Sequence, residues 1–252
     1  MKLVGERRAL AAAIMVFYFL FYGVLAYVAF QDFIPRELGR PFAAIAGVYG
    51  LAFFALVAGY FWARWYAVGV GLYGVITSAV GLWQLPPPER EVAMPILLFI
   101  GGTHLAATLF LWGQAMSEPY DGQAAWREKF HMDDSAVQRL GRSVIRAGVS
   151  LPFILLYALM PKPDGTSLAV SAVALIVFGL TAFGLRGLLR LRTWGVLALG
   201  TAGALTLAMV GVDTAMHGMA GLLLWPAVAG GLLLSTVTPF AAPIFRFITG
   251  PR

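Results

Sequence analysis

The sequence predicts an all-α, polytopic membrane protein of about eight transmembrane helices, arranged as two side-by-side four-helix bundles with both termini cytoplasmic. Three observations lead there. Of the 252 residues, 60% are hydrophobic and 12% charged, with a mean hydropathy of +0.81, whereas a soluble domain carries roughly a quarter charged residues. The apolar runs approach the roughly 20 residues needed to cross hydrocarbon, and the short alternating segments of a β-barrel are absent. A single long polar run, residues 114–148, interrupts this pattern. It divides the chain into a first membrane half (1–114), a cytoplasmic connector (115–146) and a second membrane half (147–252).

In the first half, the apolar segments are residues 10–30, closed by Gln31, Asp32 and Pro35, and 42–62, closed by a tight turn at Arg64 between Trp62 and Trp65. They continue with 66–85, stopped by Pro86, Pro87 and Pro88, and 94–113. Proline lacks an amide hydrogen and clashes with the preceding turn, so it ends a helix. Indole rings favour the headgroup layer, which suits a turn flanked by tryptophans. In the second half the segments are 147–160, 167–185, 194–212 and 219–240. The first of these is short unless the amphipathic turns before it contribute. Asp213 to Gly218 read as a polar turn, and Pro152 and Trp225-Pro226 as kinks. Lys2, Arg7 and Arg8 precede the first run as in a signal peptide, but the run is too long and aromatic for one and reads as a retained helix.

Basic residues set the threading. Four of the 18 Lys and Arg residues (Arg36, Arg40, Arg90 and Lys162) fall on one side of an eight-span arrangement, and the other 14 fall on the opposite side. The positive-inside rule makes that richer side cytoplasmic. The net charge of +6 is thereby explained by topology rather than by nucleic acid. Without cysteine, disulfides, iron–sulfur clusters and thiolate zinc sites are excluded from this chain. An offset of 129 residues lays Trp65, Gly71, Gly74, Thr77 and Ala79 on Trp194, Gly200, Gly203, Thr206 and Ala208. Such a tandem repeat, with an even number of spans, relates its halves by an axis along the membrane normal.

Within the connector, a helix beginning at Asp133 or Asp134 would carry Val137, Leu140, Val144 and Ile145 on one face and Arg139, Arg142 and Arg146 on the other. With Trp126 and Arg127, this basic face is the expected site for anionic lipid or an acidic protein partner. The plainer reading is a topology anchor with a solvated face.

His104 lies mid-span within Gly101-Gly102-Thr103-His104. An ionisable side chain at that depth is costly, which makes it a functional hypothesis. Imidazole can ligate haem, hold a quinone carbonyl or shuttle a proton. The structural alternative is a neutral histidine held by a backbone carbonyl or by Thr77 or Thr206, and Thr103 adjoins the same site. A bis-histidine haem lacks a second ligand, since His217 lies toward the outer surface and His131 in the connector. Asp213 and His217 are one helical turn apart, too few ligands for a metal.

Gly69-Val70-Gly71-Leu72-Tyr73-Gly74 satisfies the dinucleotide fingerprint only on paper, because that motif must follow a strand. Inside a span these glycines serve close helix approach. The spans contain no carboxylate suited to ion coupling, no lysine for a Schiff base and no Walker motif. The first functional expectation is therefore a non-catalytic inner-membrane subunit or scaffold. The second is a permease for a small neutral or lipophilic compound, and the third a quinone-binding anchor of a redox complex.

Overall fold

The computed structural model describes residues 2–113, 116, 134–160, 167–190, 192–218, 223–238 and 240. Trp126, Arg127 and His131 lie outside these residues, as do residues 161–166 and those from 241 onward. All regular structure among the described residues is helical: α1 Lys2–Phe30, a 3-10 turn Arg36–Leu38, α2 Gly39–Ala58, α3 Ala63–Gln84, α4 Pro87–Leu111, α5 Asp134–Leu159, α6 Ser167–Leu189, α7 Thr193–His217 and α8 Leu224–Ser235. Seven of the eight α-helices are long and apolar enough to cross a membrane. The eighth span expected from the sequence is represented by the 12-residue α8, about 18 Å long at 1.5 Å per residue.

Local chemistry explains most boundaries. α2 ends at Gly59, whose left-handed φ of 74° lets its amide reach the Ala55 and Leu56 carbonyls. That conformation costs glycine nothing and other residues more. α3 stops before the triple proline and α4 starts within it, where the missing amide hydrogens would have had no partner anyway. Pro226 falls in the first turn of α8, so the kink expected there has no interior helix to bend.

Two boundaries differ from expectation. α5 begins at Asp134 and runs unbroken through Pro152, so the predicted interfacial helix is the opening of the fifth span. Its apolar face is taken by protein: Val137, Leu140 and Val144 are buried, and Gly141 lies under the Trp65 ring of α3. Similarly, α7 continues to His217, which places Asp213 on a helix within an apolar window rather than in a turn.

In the first half α1 packs on α2 and α4, and α3 packs on both of the same helices. In the second half α5 packs on α6 and α8, and α7 packs on those two. The halves meet where α3 and, less extensively, α2 lie against α5. α5 is accordingly the most enclosed helix, with 72% of its apolar window buried, against 22% for α4. At the centre of the seam Gly69 faces Gly148. A Cβ on Gly69 would come within 2.6 Å of the Ile145 carbonyl oxygen and 3.0 Å of the Gly148 Cα, so the two backbones touch only because neither residue has a side chain.

Arginines close the helix ends. The last carbonyls of a helix have no intrahelical donor and carry the negative end of its dipole. Arg8 donates to the Leu56 and Val57 carbonyls at the end of α2. Arg7 reaches Leu109 and Trp112, and Arg64 reaches Leu111 and Gly113, at the end of α4. Arg146 of α5 donates to the Ser235 carbonyl at the end of α8. At the opposite end of the molecule, Arg90 covers the Leu85 carbonyl after α3. Five of the 18 basic residues that set the predicted threading, Arg7, Arg8, Arg64, Arg90 and Arg146, therefore also satisfy backbone that lipid could not.

Candidate functional site

The polar interior of the first half is a cluster around His104. The residue projects from α4 toward α1 and α2, and it is 0% exposed. Its seat exists because Gly74 of α3 has no side chain, since a Cβ there would overlap the imidazole. Gly71, one turn earlier, likewise yields its space to the Thr108 hydroxyl. Together with Gly69 at the seam, every glycine of the dinucleotide-like run serves a close approach between helices, as the sequence predicts.

Both ring nitrogens of His104 are occupied. Nδ1 lies 2.7 Å from the Ile100 carbonyl oxygen, which can only accept, so Nδ1 carries the hydrogen. Nε2 lies 2.5 Å from the Tyr49 hydroxyl of α2, which donates to it. This is the arrangement of a neutral imidazole, the form that avoids burying a charge. The Tyr18 ring of α1 covers the imidazole at a centroid distance of 4.2 Å. The Tyr18 hydroxyl donates to Thr103 Oγ1 over 2.7 Å, and Thr103 in turn donates to the Phe99 and Ile100 carbonyls. Tyr22 stacks on Tyr49 with centroids 5.6 Å apart. Thus three helices converge on a closed, internally paired group.

Of the residues proposed for this site from sequence, Thr103 joins His104. Thr77 and Thr206 do not: each returns its hydroxyl to a carbonyl four residues earlier in its own helix, Tyr73 and Ala202 respectively. Thr206 is in the other half, beside Gly230. The partners that sequence reasoning missed are Tyr49 and Tyr18. A buried tyrosine hydroxyl needs a partner, so two tyrosines in the middle of apolar runs were the available signal.

The expected basic face is also divided by the fold. Arg142 is exposed, Arg139 is half-buried, and Arg146 is turned to the α8 terminus. At the other end of α5, the Tyr157 hydroxyl donates to Asp213 Oδ2 over 2.7 Å, tying α5 to α7. The carboxylate considered as half of a metal pair is thus engaged, and no group of three metal-ligating side chains occurs among the described residues.

A second feature lies between the halves. α5 forms the floor and α2 and α6 the walls of an open cleft of about 770 Å³. Gly47 and Val48 line one wall, Phe178 and Ala182 the other, and Leu151 and Leu155 the floor. Trp62, just past the end of α2, and Arg186 and Arg190, at the end of α6, complete the lining.

These features define a class: a helical protein with seven helices suited to crossing a membrane, a sealed polar core in one half and an apolar cleft between halves. Beyond the class, no family model, no curated protein and no solved structure matches this chain.

Proposed function

We propose that the chain is a non-catalytic subunit or scaffold of a larger inner-membrane assembly, with its arginine-rich end and both termini in the cytoplasm. The observation that carries this reading is the sealing of the His104 cluster. An imidazole with no exposed surface and both nitrogens engaged inside the chain is organised to hold α1, α2 and α4 together. For His104 to meet a quinone or haem iron, Nε2 would first have to leave Tyr49, so the redox-anchor reading draws the least support. Docking of anionic lipid or an acidic partner on Arg139 and Arg142 remains part of the proposal, while Arg146 is better accounted for by its cap on α8.

The proposal includes two tandem four-helix bundles. Support comes from equivalent close approaches at the 129-residue offset. Gly71 meets Thr108 as Gly200 meets Val237, and Gly101 meets Ser78 as Gly230 meets Leu207. Small residues that meet the neighbours expected at that offset favour the repeat.

The test is purification from native membranes in mild detergent. A stable stoichiometric partner chain is expected, and an isolated monodisperse monomer that retains the chain's cellular role would overturn the proposal. A carrier for a lipophilic compound is the second reading, favoured by the open cleft between the halves rather than by His104.

A further inference from the structure

We infer that the cleft between α2 and α6 is a binding site for one anionic phospholipid, with an acyl chain along the α5 floor and the phosphate at Arg186 and Arg190. This inference is independent of the scaffold reading, since a subunit, a carrier or a free-standing protein could each hold such a lipid.

The shape comes first. From Phe178 to Arg190 the α6 wall extends 12 residues, about 18 Å of helix, which suits a single extended acyl chain. The lining along that length is aliphatic and aromatic. It is opened by small residues, because Gly47 has nothing within 4 Å of where a Cβ would sit and Ala182 is exposed. A slot of this kind, open sideways between two membrane halves, receives a lipid chain without any path from water.

Charge then selects the headgroup. Arg186, in the last turn of α6, and Arg190, just past its end, are both exposed, and among the described residues neither guanidinium has a hydrogen-bond or ion-pair partner. Their situation contrasts with Arg7, Arg8, Arg64 and Arg146, which are committed to helix carbonyls at the same end of the molecule. Trp62 and Tyr60 stack at the mouth with centroids 5.6 Å apart, and Trp194 stacks on Phe183 at 4.3 Å. Aromatic pairs of this kind mark the headgroup level. An apolar slot ending at that level in two uncommitted guanidinium groups matches a chain joined to a phosphate.

The experiment is native mass spectrometry of the full chain released from detergent with dioleoyl phosphatidylglycerol or dioleoyl phosphatidylcholine. One phosphatidylglycerol should be retained with about thirtyfold preference over phosphatidylcholine, as two surface arginines imply. Arg186→Gln with Arg190→Gln should erase the preference while leaving the phosphatidylcholine adduct. Gly47→Leu with Ala182→Leu should reduce both adducts. Preference surviving the arginine replacements would put the headgroup elsewhere, on Arg139 and Arg142 for instance. Adducts surviving the filled cleft would place the lipid on another surface of the chain, and inorganic phosphate displacing the lipid would reveal a phosphate site instead. Each of these results overturns the inference. Should the filled variant fail to fold, brominated-chain phosphatidylglycerol in phosphatidylcholine vesicles gives an independent reading. It should quench wild-type fluorescence more than that of Trp62→Phe, and equal quenching would also overturn the inference.

Discussion

At an offset of 129 residues Gly71, Gly74 and Gly101 of the first half fall on Gly200, Gly203 and Gly230 of the second, and what these glycines make room for differs. In the first half, Gly71, Gly74 and Gly101 admit Thr108, His104 and Ser78. At the same offsets in the second half, Gly200 and Gly230 admit Val237 and Leu207, and Gly203 lets α8 backbone approach directly. Tyr18, Tyr49 and His104 correspond by position to Ala147, Phe178 and Leu233. At these positions the first half is thus held by a polar group that must be completely paired and the second by apolar and backbone contact, its polar ties, such as Tyr157 to Asp213, lying elsewhere. A helix pair in lipid gains little from apolar side chains alone, because the solvent is equally apolar. Close backbone approach and internal hydrogen bonds are the two available substitutes, and at these matched positions the halves use different ones.

The largest effects should come from the glycines that set these approaches. Gly203→Ala drives a Cβ into the Leu234 amide nitrogen and the Gly230 carbonyl oxygen, so the helices themselves must separate. Gly74→Ala meets the His104 ring, a side chain. Overpacking of this kind costs about 1–3 kcal/mol and sometimes more, and Gly203→Ala should be the worse of the two by thermal unfolding in detergent. Adding His104→Ala should recover part of the Gly74→Ala loss, whereas no single side-chain truncation should rescue Gly203→Ala. Equal losses, or rescue in both halves, would break the contrast.

Next in size is the pair at the centre of the first half. His104→Leu leaves the Tyr49 hydroxyl buried without a partner, and Tyr49→Phe leaves Nε2 likewise. Each should cost about 1–3 kcal/mol, while the double replacement, which copies the apolar style of the second half, should be much less damaging than the two losses added. This comparison also separates structure from function. If His104 serves only to hold helices, the double variant regains stability and activity together. Restored stability with lost activity would identify His104 as functional.

Much of this was legible in the residues themselves. Hydropathy and prolines located the spans because lipid tolerates few alternatives to a continuous helix. The close-packing role of Gly69, Gly71 and Gly74 followed from their setting in an apolar run. The depth of His104 was also apparent. Its partner was not, because the choice of Tyr49 over Thr77 or Thr206 depends on which faces of α2 and α4 meet, and spacing along one helix does not contain that. Asp213 was read as a turn because a carboxylate ordinarily ends an apolar run, yet Tyr157 satisfies it from another helix. The same holds for Arg146, whose place on a polar face suggested solvent but whose guanidinium closes α8.

Those arginine caps supply a third comparison, smaller in scale. Arg8 closes α2 in the first half and Arg146 closes α8 in the second, each from a neighbouring helix. Arg8→Ala and Arg146→Ala should each lower stability by about 0.3–2 kcal/mol, the range for a cation at a partly buried helix terminus. Lysine should restore charge without the guanidinium fork. Arg8 donates through two nitrogens, Nε and Nη2, to carbonyls of successive residues. Arg8→Lys should therefore recover less than Arg146→Lys, in which a single nitrogen serves the helix end.

The smallest effect should have the opposite sign. Ser78 is 3% exposed, and its Oγ is the one buried side-chain polar atom without a hydrogen-bond partner among the described residues. It faces Gly101, where a Cβ would sit 3.0 Å from the Ser78 Cβ, so the hydroxyl is confined against a helix that offers it no acceptor. The corresponding position of the second half is Leu207, an apolar residue against Gly230. Ser78→Ala removes the unpaired group and little volume, and should raise stability by about 1 kcal/mol. Ser78→Leu, despite matching Leu207, should destabilise, because the first half has fitted its spacing to the smaller side chain. If alanine instead lowers stability, the hydroxyl is paired, and the polar network of the first half extends beyond the His104 cluster to the α3–α4 contact.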